Sequence, residues 1–99
     1  MGRKKDKMRK YTIDLNEVFN ADELQRAIRK VLPLPEHYGN NLDALYDVMT
    51  EWTEDTSITF LNVDEAEVTM PKHMKALRRM CRDVQEENPN IEIKFGENS

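Results

Sequence analysis

Leu34-Pro35-Glu36-His37-Tyr38-Gly39-Asn40-Asn41-Leu42-Asp43-Ala44-Leu45-Tyr46-Asp47-Val48-Met49-Thr50-Glu51-Trp52 joins an aromatic turn to a short amphipathic helix, and the rest of the fold reads outward from it. Leu34 and Pro35 start a fixed loop, Gly39 supplies a permissive backbone, and Asn40 or Asn41 is placed to cap a helix running to about residue 53. At about 100° per residue, Leu45, Val48, Met49 and Trp52 form its inward stripe. Asp43, Asp47, Thr50 and Glu54 fall together on the opposite side, with Tyr46 on the flank between the two. The acids therefore face solvent or a partner. Of His37 and Tyr38, in the turn just before the helix, one is expected to pack inward.

Upstream, Tyr11-Thr12-Ile13-Asp14-Leu15 alternates apolar and polar residues, the period of a strand with one face on a core. Asn20 followed by Glu23 resembles a capping box, and Leu24, Ala27, Ile28 and Val31 recur at helical spacing until Pro33, which predicts a helix over 21–32. Downstream, Ser57-Ile58-Thr59-Phe60-Leu61-Asn62-Val63 is rich in β-branched and aromatic residues and reads as a buried strand. A short acidic turn or helix over 64–68 follows. Pro71 suits the first turn of a further helix with Met74, Leu77, Cys81 and Val84 as its core stripe, and Asn88-Pro89-Asn90 ends it. Ile91-Glu92-Ile93-Lys94-Phe95 alternates as the last strand. Strands separated by helical stretches of this length need crossover connections, right-handed by rule. The expected class is α/β: a two-layer, three-stranded parallel sheet packed on helices.

Ninety-nine residues with 38% hydrophobic content make one small domain, expected over 11–95. Residues 1–10 read as a basic, disordered arm. The formal net charge is -4, and Arg3, Lys4, Lys5, Lys7, Arg9 and Lys10 against Asp6 give the first ten residues plus five, which leaves minus nine on the remainder. From Val31 to Pro71 there is no Lys or Arg but nine acids, an unneutralised negative field suited to a basic partner. Nucleic acid is therefore not expected to bind the folded body. Cys81 is alone, so no intrachain disulfide forms, and a cytoplasmic location is expected. The basic N-terminus has no apolar stretch behind it, and no apolar run approaches a membrane span, so no membrane association is expected.

Asp43 and Asp47 lie four residues apart on one helix face, where like charges cost a few tenths of a kcal/mol. Asp43 is compensated by the helix dipole; Asp47 lies beyond the first turn and has no Lys or Arg at spacing three or four. Asp47 is accordingly the stronger binding candidate. His37 is either an exposed loop histidine or a contact beside these acids, and His73 reads as a surface residue. There is no HExxH, no cysteine pair and no calcium-loop pattern, so no metal or cofactor is expected. No glycine-rich phosphate loop or GxSxG is present, Cys81 falls on an apolar stripe, and outward-pointing acids on a convex helix do not make a cleft; an enzyme is not expected. Exposed acid, hydroxyl and aromatic side chains on a rigid helix suit protein binding, with Tyr46, His37 and Trp52 as candidate anchors, although core packing is the favoured reading of Trp52.

The run from Leu34 to Asp47, with Thr50 and Trp52 after it, resembles the barstar family of intracellular ribonuclease inhibitors. The resemblance spans 11–95 and is weak outside the loop and second helix. It implies a molecule that plugs the active site of a secreted, basic, guanyl-specific ribonuclease, Asp47 entering the phosphate pocket and Asp43 meeting the guanine-binding region. By the same resemblance Thr50 lies at the rim, Leu42 and Trp52 beside the contact, and His37 over the nuclease's catalytic histidine. Asp83 and Glu87 match an acidic pair late in the last long helix, of which the first makes contact. His37 stands where the family has tyrosine, Tyr46 where it has tryptophan, and Asp83 where it has glutamate. An inhibitor that is monomeric when free is expected; a barstar-like module serving as immunity protein or regulator of a different partner is the alternative.

Overall fold

The computed structural model describes residues 8–96. Its sheet has three strands, β1 (Arg9–Asp14), β2 (Thr56–Leu61) and β3 (Ile91–Phe95), in that order and parallel throughout. The register aligns Tyr11 with Ile58 and Ile93, and Ile13 with Phe60 and Phe95, so the apolar halves of the three alternating patterns share one face. Lys10, Ser57 and Glu92 form a row on the other face, as do Thr12, Thr59 and Lys94. That polar face needs no cover, and the expected two-layer α/β arrangement results.

Four helices complete the fold: α1 (Ala21–Val31), α2 (Leu42–Thr50), α3 (Val63–Thr69) and α4 (Pro71–Glu87). α1 packs on β1, α4 on β3, and both α2 and α3 on α4. At the start of α1, Asn20 Oδ1 accepts from the Glu23 amide at 2.8 Å. The Glu23 carboxylate reaches the amide of Phe19, at 2.8 Å, instead of that of Asn20. Pro71 opens α4, where no helical amide is needed, and Met74, Leu77, Met80, Cys81 and Val84 are buried. The segment over 64–68 is a regular helix within α3.

Strand β1 begins at Arg9, two residues earlier than the alternation indicates. The Arg9 amide donates to Asp55 O at 2.9 Å and its guanidinium to Glu54 at 2.7 Å. Arg9 and Lys10 thus belong to the sheet, and residues 1–7 of the expected arm lie outside the described residues. His73 is half-buried, not a surface residue, with no hydrogen-bond partner for its shielded Nε2 among the described residues. The cause is helical geometry: positions 73, 77, 80 and 84 lie on one side of α4, so His73 shares the flank of its core.

α2 ends at Thr50, three residues short of the expected limit. The Trp52 amide bonds to Met49 O at 3.2 Å, a tighter closure that stops the α-helical ladder. Leu45 and Met49 are buried as expected, while Val48 and Trp52 are only half-buried. Glu54 does not join the acidic side of α2, because it lies beyond the helix and pairs with Arg9.

Candidate functional site

The turn before α2 is built from the inside. Tyr38 is the residue that packs inward: its hydroxyl donates to Gln25 Oε1 at 2.6 Å, with Asn41 O at 3.2 Å. Burial pushes this hydroxyl up to about 12, although the nearby Arg29 charge and the Gln25 hydrogen bond oppose the shift. The Arg29 guanidinium lies over the Tyr38 ring at 5.7 Å and donates to Asn40 Oδ1 at 3.0 Å. These contacts fasten the turn to α1. Asn40, with φ 55, takes the left-handed conformation that Gly39 was expected to supply. Asn41 is the cap, its Oδ1 accepting from the Ala44 amide at 2.7 Å and its Nδ2 donating to Gly39 O at 3.2 Å. His37 is left exposed on this turn.

Asp43 and Asp47 are both exposed, and neither has an ion pair among the described residues. Asp43 sits in the first turn of α2. The Thr50 hydroxyl donates to Asp47 O at 3.1 Å, which ties the side chain of Thr50 to the last turn. Tyr46 is half-buried between α2 and α4. Burial, followed by the charges of Glu87, Asp83 and Asp47, holds its hydroxyl above the ordinary tyrosine value. Leu42, Asp43, Tyr46 and Asp83 line one groove together with Ala76, Arg79 and Met80. The fold therefore brings together six candidates from two helices: Leu42, Asp43, Tyr46, Asp47, Asp83 and Glu87.

Trp52 is not among them. It packs against the core beyond the end of α2 and lines a separate groove with Arg9, Tyr11 and Pro33. Its inward packing agrees with the stripe that helical spacing indicates, although α2 ends at Thr50.

Two residues matter here that the sequence pattern did not single out. Asn88, 5% exposed, donates from Nδ2 to Met49 O at 3.0 Å and to Trp52 O at 2.8 Å. Beyond stopping its own helix, it closes the end of α2 from the end of α4. Arg79 places a cation in the groove beside Asp43 and Asp83. A signal for it exists: from Val68 to Arg82 there are five Lys or Arg and no acid.

Among the described residues no group of three or more His, Cys, Asp or Glu is placed to hold a metal, and no helix is long and apolar enough to cross a membrane. Burial pushes the Cys81 thiol up to about 12 against the opposing charge of Arg78, so it is held as a neutral core group.

A family model described as Barstar (barnase inhibitor) matches residues 8–96 of this chain. The chain belongs to the barstar family. A Bacillus subtilis (strain 168) protein named "Putative ribonuclease inhibitor YrdF" is 28% identical over 81 residues, 81% of this chain and 89% of that one. The barstar match takes in all three strands and all four helices, and with them every residue of the groove between α2 and α4.

Proposed function

We propose that this barstar-family chain is a cytoplasmic, monomeric inhibitor of a secreted, basic, guanyl-specific ribonuclease, and that it catalyses no reaction itself. The observation that carries this is the convergence of Asp43, Asp47, Asp83 and Glu87 around Tyr46 on two helices pinned end to end. Repulsion among these carboxylates makes the free surface unfavourable, and a cationic cleft relieves it. Asp47, exposed on α2 and without an ion pair among the described residues, is the carboxylate that takes the place of an RNA phosphate against the cations that bind substrate. Asp43 meets the neighbouring guanine-binding region, Leu42 and Tyr46 supply apolar contact, and Thr50, His37, Asp83 and Glu87 form the rim. Trp52 and Asn88 act from behind, by holding the end of α2.

The relative named as a ribonuclease inhibitor supports the target class. His37 and Tyr46, in place of the family aromatics, favour a nuclease whose rim differs from that of the usual partner. The test is titration of RNA hydrolysis by a set of guanyl-specific ribonucleases with the purified chain. One of them is expected to lose activity at equimolar inhibitor, with association slowed by salt. Full activity throughout the set, with capture of a protein that does not cleave RNA, would favour the alternative of an immunity protein or regulator for another partner.

A further inference from the structure

We infer that the partner ribonuclease presents a carboxylate to Arg79, which makes this guanidinium a specificity-determining cation at the edge of the acidic face. The inference rests on the inhibitor function proposed above. Arg79 shares a groove with Asp43 and Asp83 yet forms an ion pair with neither. On its other side it shares a depression with Lys75, Arg78 and Arg82, and no acid lines that depression. Arg78 is already engaged, bonded to Glu67 at 2.6 Å and lying over the Phe95 ring at 4.5 Å. Lys75, Arg79 and Arg82 are exposed and have no ion pair among the described residues. Lys75 and Arg79 lie four residues apart on α4, a like-charge spacing, while Asp83 stands at the same spacing on the other side of Arg79 without closing an ion pair.

The sign of the charge decides the occupant. A partner that is cationic over the whole contact would be repelled by Arg79, so a guanidinium beside Asp43 and Asp83 favours a partner whose cationic cleft is bordered by an acidic side chain. Arginine suits that contact because its planar fork meets a carboxylate through two hydrogen bonds. A polyanion such as RNA is disfavoured, since the carboxylates of Asp43 and Asp83 line the same groove.

The affinity of the inhibited ribonuclease is measured for the wild-type chain and for Arg79→Glu, Arg79→Lys and Asp47→Asn, each with a melting curve. Arg79→Glu is expected to weaken binding by about three- to tenfold and Arg79→Lys by less, with melting unchanged, as for an exposed pair at an interface rim. Unchanged or tighter binding by Arg79→Glu, the result that general attraction to a basic partner gives, would overturn the inference. If Asp47→Asn lowers affinity and Arg79→Glu does not, the inference fails alone; if Asp47→Asn has no effect, the inhibitor function fails at its own residue. A single-stranded RNA probe whose binding depends on Arg79 would also overturn the assignment.

Discussion

Helices α2 and α4 pack against each other but are stabilised in different ways. α4 has seventeen residues, five of them buried, and starts on a proline that suits its first turn. α2 has nine residues and two buried side chains, too few to hold a helix in water without help from the surrounding fold. Its ends are closed by asparagines, Asn41 at the start and Asn88, from the end of α4, at the finish. The outer charges differ too: α2 carries only acids, whereas α4 carries Lys75, Arg79 and Arg82 outward and Asp83 and Glu87 toward Tyr46. A short helix held from outside can spend its exposed face on recognition, because that face contributes little to its own stability.

Removing the pin should erase this difference most completely. In Asn88→Ala the carbonyls of Met49 and Trp52 lose a buried donor, which costs about 1–3 kcal/mol. For a domain of this size the melting temperature should drop by about 10 °C, read by circular dichroism, and ribonuclease affinity should fall with it. An unchanged melting curve would mean that α2 does not depend on α4 for its end.

A smaller effect is expected at the other end of α2. Tyr38→Phe leaves Gln25 Oε1 without its donor, a loss of about 1–2 kcal/mol seen by urea unfolding. The Tyr38 hydroxyl and the Cys81 thiol are both pushed up to about 12 from ordinary values of 10.0 and 9.0. A raised folded-state value means that the native state holds its proton more tightly than the unfolded chain. The stability from these groups is thus fully present below about pH 9 and is lost as pH rises through about 12. Melting temperatures measured across that range should fall for the wild type and fall less steeply for Tyr38→Phe combined with Cys81→Ala; parallel curves would remove both groups as the cause.

What could be read from sequence was what the physics keeps local. Period-two alternation located β1 and β3, helical spacing located the Met74, Leu77, Cys81 and Val84 stripe, and Asn20 with Glu23 marked the start of α1. The end of α2 was not legible, because Asn88 closes it from 39 residues away and no window over residues 42–53 contains that donor. Trp52 packs inward as its spacing indicates, although it does so from beyond the last turn of the helix. The left-handed residue of the turn is Asn40 and not the neighbouring Gly39, since asparagine also tolerates that geometry and the sequence does not distinguish the two. Arg79 has a signal only in the acid-free stretch from Val68 to Arg82, and its place beside Asp43 follows from the packing of α2 on α4.

If α2 inhibits through its exposed carboxylates, Asp47 is the one whose loss should matter most. The most direct measurement is inhibition of one ribonuclease by the wild-type chain and by Asp47→Ala at the same ionic strength, beside melting curves for both. Asp47 is exposed, has no ion pair among the described residues and is repelled by its neighbouring carboxylates, so stability should be unchanged or slightly raised, while affinity should fall by about 100-fold or more, as expected when one member of a buried charge pair is removed. Equal inhibition by the two proteins would contradict the account.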